Sequence, residues 1–222
     1  MNLILIGAQG SGKGTQAQRL VALLHLRSCA SGELLRKAIA QGTPLGRAAQ
    51  PYLDRGDLVP DDLIIGLVLD CMEHRGDVQG SVLDGFPRNV AQTRALDERL
   101  MERRQKIDAA AYLDVPREML LDRLSGRYVC RAAEHVWNVK TNPPRVPGIC
   151  DYDGSSLYQR PDDTPEKINR RLDIFFNETI HLTDYYGLQG KLLRIDGTGA
   201  IDDVTHAIVS GLSEERVNRA VG

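Results

Sequence analysis

Nine residues constrain this chain more than any others: Gly7-Ala8-Gln9-Gly10-Ser11-Gly12-Lys13-Gly14-Thr15. They follow the short apolar run "NLILI" and lead into "QAQRLVALLHL", whose apolar residues recur at helical spacing. That order is strand, glycine loop, helix. Glycines let the backbone turn its N–H groups inward around a phosphate, and the helix start adds partial positive charge. Gly10, Ser11, Gly12 and Gly14 supply backbone, Lys13 a mobile cation for β- and γ-phosphates, and Thr15 a hydroxyl for Mg2+. The usual Gly-Lys-Ser/Thr is here Gly-Lys-Gly-Thr, so the hydroxyl comes one place late. The bland alternative is a glycine-rich structural turn, and the strand–loop–helix setting argues against it. The loop by itself is silent about the phosphate acceptor.

The same rhythm returns at "SVLDGFPRN", "AAAYLDVPREMLLDRLSGR" and "KLLRIDGTGAIDDVTHAIVSGL", which predicts an α/β fold with a parallel sheet covered by helices on both faces. Two stretches interrupt it. Residues 31–60 are helical and rich in small and polar residues, and 127–163 are rich in Pro, Gly, Asn and Asp. Both read as insertions into one core, for which 222 residues suffice. A net charge of -2 argues against a nucleic-acid coat or a polybasic membrane patch. The longest apolar runs fall far short of the ~20 residues of a membrane span. "MNLILIG" has neither a basic region nor a cleavage site, and four cysteines do not suggest a disulfide scaffold. A cytoplasmic protein is expected, with neither nucleic acid nor membrane as partner. Cys29 and Cys71 are expected as buried, unreactive thiols, and His25, His74, His181 and His206 as surface or capping residues. "DERLMERRQK" reads as a solvated helix face and "NETIHLTDYY" as part of a core-packing helix.

"SVLDGFPRN" is a buried-strand pattern ending in Asp84, an acid placed to organise Mg2+ through its waters. Gly85 permits close approach of a ligand, Pro87 stiffens the chain, and Arg88 stands at the strand's carboxyl end, where parallel sheets bind ligands. Taken in order, "GAQGSGKGTQ", "SGELLR", "VLDGFPRN", "DRLSGR", "NPP" and "QRPDD…RRL" resemble the bacterial, long-lid adenylate kinases over nearly the whole chain. The resemblance implies a P-loop nucleoside monophosphate kinase fold with a five-stranded parallel sheet. It also implies a core of residues 1–30, 60–126 and 164–222, an AMP-binding insertion at 31–59 and a lid at 127–163. The implied reaction is reversible, Mg2+-dependent phosphoryl transfer from ATP to AMP, giving two ADP, by a monomer.

Carried over by motif, Ser31 and Arg36 belong to the monophosphate site, and the backbone of Asp57, Leu58 and Val59 to the AMP adenine. Gly85, Phe86, Pro87 and Arg88 hold AMP, and Gln92 reads its base. Arg123 and Arg127 face the ATP adenine and phosphates, Val136, Trp137 and Gly199 lie near that adenine, and Arg160 and Arg171 clamp the phosphates of both substrates. Always-charged, planar guanidinium groups suit two polyanions and a charge-spread transition state. Gly126 is a candidate hinge. Gln9 stands where the family often has proline, and Tyr128 where it often has another arginine.

Within the lid stretch, Cys130, Cys150 and Asp153 sit at metal-ligand spacing, Ala133 stands where a Cys-x-x-Cys would close, and His135 is the nearby side chain able to complete a tetrahedron. Some members of the family build the lid around structural zinc; others use a hydrogen-bonded polar cluster. Zinc on Cys130, His135, Cys150 and Asp153 is the expectation, with a metal-free lid and two free thiols as the alternative. The spacing does not separate zinc from iron or cobalt. Two other functions compete with the leading one: a UMP/CMP or GTP-using monophosphate kinase, and a nucleotide- and metal-sensing module without transferase activity.

Overall fold

The computed structural model describes residues 1–55, 59–73, 77–133, 135–160 and 163–221, with backbone alone at 53–55 and 214–221. Its strands are β1 (Asn2–Ile6), β2 (Arg27–Ala30), β3 (Ser81–Asp84), β4 (Ala109–Asp114), β5 (Arg127–Cys130), β6 (Val136–Asn138), β7 (Leu157–Tyr158) and β8 (Leu192–Asp196). Its helices are α1 (Lys13–Leu24), α2 (Ser31–Ala40), α3 (Pro44–Arg55), α4 (Asp61–Glu73), α5 (Val90–Glu102), α6 (Arg117–Ser125), α7 (Pro165–Asn177), α8 (Leu182–Gly187) and α9 (Ile201–Val221).

Five strands pair in parallel in the order β2-β3-β1-β4-β8. Every residue of β1 is buried, as expected of a strand covered on both faces. Alternation then divides the core. Ile4, Ile6, Leu83, Ala110 and Tyr112 face α4, α5, α6, α7 and α8. Leu3, Leu5, Val82, Ala109, Ala111 and Leu113 face α1 and α9. This is the α/β architecture expected from the alternating pattern.

Helices α2 and α3 form a small unit against α4, around Leu35, Ala38, Ala49 and Leu67. At Gly46 a Cβ would lie 2.1 Å from the Ala38 carbonyl oxygen, so only glycine allows α3 this close to α2. The base of this unit carries a correction. Cys29 and Cys71 are joined as a disulfide, with Cα atoms 6.0 Å apart, rather than left as separate thiols. Helix α4 crosses the end of β2 and sets the two sulfurs face to face, an encounter made by packing between residues 42 apart in sequence.

Residues of the second interruption form an antiparallel sheet, β6-β5-β7, with Tyr128 opposite Trp137 and Cys130 opposite Leu157. Its buried cluster consists of Cys130, Trp137 and Cys150, with Tyr128 and Leu157 against them. "NETIHLTDYY" is not one helix. Glu178 breaks α7 with φ -124° and ψ -57°, and a short 3-10 turn then redirects the chain into α8. The turn lets Leu182 and Tyr186 enter the core.

Candidate active site

The carboxyl ends of the parallel strands open into a cleft of about 1020 Å³. Its walls include Gly10 through Thr15, Arg36, the Asp84–Arg88 turn, the four arginines 123, 127, 160 and 171, and Val136, Trp137 and Gly199. Sequence elements up to 190 residues apart thus meet around one space, as ligand sites do in open parallel sheets.

Gly10 and Gly12 have φ of 85° and 96°, which an L side chain rarely adopts, and Gly12 caps α1. The first turn of α1 therefore points its N–H groups into the cleft. Lys13 folds back, donating from Nζ to the carbonyl oxygens of Gly7 and Ala8 at 2.7 and 3.0 Å. Burial lowers its pKa from 10.5, Asp84 opposes that shift, and Arg88 and Arg127 add to it. The Ser11 hydroxyl is buried with no partner among the described residues. An Asp84 carboxylate oxygen lies 3.8 Å from where a Gly14 Cβ would stand, so the acid reaches the phosphate loop from the neighbouring strand.

Beyond Asp84 the chain turns through Gly85, whose φ of 79° again favours glycine. Arg88 donates from Nε to the Gly85 carbonyl at 2.8 Å, and its backbone N–H donates to Gln92 Oε1 at 2.7 Å. Gln92 in turn donates to Asp61 at 2.7 Å. Arg88 faces the water of the cleft yet has protein on most sides, which lowers its pKa, with Asp84 opposing. Pro87 lines the cleft; Phe86 instead anchors the turn by burying its ring in the core. Ser31 is buried at the head of α2, with its hydroxyl 3.0 Å from the Cβ position of Gly85. Val59 packs in the α2–α3–α4 cluster, off the cleft wall. Asp57, Leu58 and His74 lie outside the described residues.

Opposite stand the arginines. Arg123 donates from Nη2 to the Gly197 carbonyl at 3.0 Å. Arg127 grips Asp163 with two bonds, Nε to Oδ2 at 2.9 Å and Nη2 to Oδ1 at 2.5 Å. Arg171 donates from Nη1 to Gln9 Oε1 at 2.7 Å and lies 3.7 Å from Asp163 Oδ1. Burial, then Arg127, Arg88 and Arg160, push the Arg171 guanidinium down to about 10, still fully charged at neutral pH. Asp163, whose side chain is 0% exposed, is the counter-ion that sequence reasoning passed over. Its signal was an acid between Arg160 and a helix start, in "QRPDD".

At the outer end of β5, the ligand atoms of Cys130, His135, Cys150 and Asp153 all lie within 4.8 Å of one another. His135 Nδ1 is 3.4 Å from each sulfur and 3.1 Å from Asp153 Oδ2, and the Cys130 thiol meets that oxygen at 3.1 Å. Ligands about 2.0–2.3 Å from a tetrahedral ion stand roughly 3.3–3.8 Å apart, so this donor set fits such an ion. Bonds from Ser155, then from the Cys130 thiol, hold the Asp153 carboxyl well below its usual range. Tyr152 leans on both His135 and Trp137, with ring centroids 4.9 and 5.5 Å away.

A phosphate loop, an acid on the next strand, and arginines facing both define a P-loop phosphotransferase built for two phosphorylated ligands. A profile described as adenylate kinase matches residues 5–191. The chain is 44% identical to the adenylate kinase of Thermodesulfovibrio yellowstonii over 97% of its length and all of that relative's. It is 46% identical to that of Syntrophobacter fumaroxidans (92% of this chain, 96% of the relative) and 45% identical to that of Moorella thermoacetica (97% and 99%). The chain belongs to the adenylate kinase family.

Proposed function

We infer that the chain catalyses reversible phosphoryl transfer from Mg-ATP to AMP, giving two ADP. The observation that carries this reading is the facing array: Arg123, Arg127, Arg160 and Arg171 line the same cleft as the phosphate loop and the Asp84–Arg88 turn. An oxygen of the AMP phosphate attacks the γ-phosphorus as the bond to the β-bridging oxygen breaks. That phosphate is already a competent nucleophile, so the protein's work is alignment and charge stabilisation rather than proton removal. Lys13 exchanges its loop carbonyls for β- and γ-oxygens, while Arg88 and Arg36 hold AMP against the Ser31 end. Mg2+ arriving with ATP neutralises phosphate charge, and Asp84 and Thr15, both on the cleft wall, suit its waters and its coordination. The buried indole N–H of Trp137, which has no partner among the described residues, supports an adenine site near Val136 and Gly199.

The site reading divides the chain into a core of 1–30, 60–126 and 164–222, an AMP-binding arm at 31–59 and a lid at 127–163. The lid turns about Gly126 to exclude water, which would otherwise hydrolyse ATP. In the lid, Cys130, His135, Cys150 and Asp153 hold a structural Zn2+ that takes no part in transfer. The family resemblance implies a cytoplasmic monomer; the net charge is -2, and among the described residues no helix is long and apolar enough to cross a membrane. It needs neither nucleic acid nor membrane as partner.

A coupled assay across acceptors tests the reading. AMP is expected to turn over faster than UMP or CMP, with ATP as donor. Faster UMP or CMP turnover would overturn the choice of acceptor. ATP binding with no ADP formed from any acceptor would make the protein a sensor instead.

A further inference from the structure

Gln9 lies in the phosphate loop, yet its side-chain bonds leave the loop. Its carboxamide reaches across to Asp163, where the segment 127–163 rejoins the sheet domain, and to Arg171 on α7. Nε2 donates to Asp163 Oδ1 at 3.3 Å, and Oε1 accepts from Arg171 Nη1 at 2.7 Å. Asp163 is in turn held by Arg127 through both its oxygens. One planar group thus joins the phosphate loop to Asp163 and α7, and through Asp163 to Arg127 at the other end of the segment. We propose that Gln9 is a positioning residue for phosphoryl transfer, latching the phosphate loop to the Asp163–Arg127–Arg171 array so that loop and arginines keep one spacing. The proposal rests on the function inferred above.

The chemistry of the contact is narrow. Its partners are a carboxylate, which needs a donor, and a guanidinium, which needs an acceptor. A carboxamide offers both from one rigid plane, and glutamine is long enough to span the gap. Glutamate in its place would face Asp163 with like charge, and lysine would face Arg171. Alanine or proline would leave both partners without their bond to the loop. Asp163 is wholly enclosed, so a bond lost there is not regained from water. Crowding of cations around Arg171 makes the Oε1 dipole more valuable, since it offsets repulsion from Arg127, Arg88 and Arg160. In the transition state, charge spreads over oxygens lying between the loop and the guanidinium groups. An error in their separation therefore weakens stabilisation at that point more than it weakens binding of either substrate.

Steady-state kinetics of five proteins test this: wild type, Gln9→Ala, Gln9→Glu, Asp163→Asn and Gln9→Glu/Asp163→Asn. Gln9→Ala is expected to lower kcat by about 10-fold or more, with KM for ATP and AMP within about 2-fold of wild type. Gln9→Glu should fall at least as far. The double variant reverses the polarity of the bond, with an asparagine donating to a carboxylate that still accepts from Arg171, and should recover above Gln9→Glu. Wild-type kcat in Gln9→Ala overturns the latch, as does a loss confined to KM for ATP, the mark of a loop merely loosened. A double variant no better than the product of its singles also overturns it. A wild-type protein that forms no ADP from ATP and AMP defeats the inferred function instead, and the two failures are told apart by that first measurement.

Discussion

Lys13 is the residue whose state depends most on what fills the cleft. Its Nζ donates to two carbonyl oxygens of the loop, and burial lowers its pKa from 10.5 despite Asp84. Because the folded value lies below the unfolded one, the folded chain releases this proton first as pH rises. The unfolded chain then holds more protons, so in the window just below 10.5 this group makes the fold more stable with rising pH, while its cation is lost to ATP. Bound phosphates reverse the shift. ATP binding at a pH a little below 10.5 is therefore expected to take up a proton, measurable by calorimetric titration in two buffers of different ionisation enthalpy. Identical heats in both buffers would contradict this. Single residues were unevenly legible in the sequence. Lys13, Asp84 and Arg88 belong to contiguous motifs whose geometry is local. Asp163 and the task of Gln9 are defined only when a segment starting at Arg127 returns beside the loop, and no local pattern records that.

Among the elements, the sheet β5–β7 has the least apolar support of its own. Besides Val129, its buried residues are Cys130 and Cys150, both candidate metal ligands, and Trp137, the chain's single tryptophan. With so little else to bury, the sheet would draw its stability from an ion held by these four residues, while the parallel sheet would not. About one equivalent of zinc is expected in protein purified after expression with zinc supplied, and less than about a tenth would reject the site. Chelation should expose Trp137, red-shifting its emission, and open the segment between β5 and β7 to protease with the rest of the fold intact. His135→Ala that keeps both metal and emission would remove only the histidine from the ligand set. The strand–loop–helix rhythm made the main elements readable, because four strands of the parallel sheet are short, largely apolar runs between turn residues; the edge strand β2, Arg-Ser-Cys-Ala with one buried residue, is not. The break of α7 at Glu178 was not, since the core positions of Leu182 and Tyr186, rather than any local stop signal, set the new direction.

For the molecule as a whole, the disulfide ties the edge strand β2 to α4 across the base of α2 and α3. Cross-linking residues 42 apart restricts the unfolded chain by about 2–4 kcal/mol in the loop-entropy account. Reductant, or Cys71→Ser, should lower the denaturant midpoint accordingly; coincident midpoints would show that the bond is not formed in solution. Composition hid it, because four cysteines without paired spacing suggest thiols, and only the crossing of α4 over β2 makes partners of these two. With the bond closed, the chain from Cys29 to Cys71 is a covalent ring from which the two tails leave side by side. A single protease nick anywhere on that ring linearises it without releasing a fragment. The cut protein should migrate as one species until it is reduced, and only then as two.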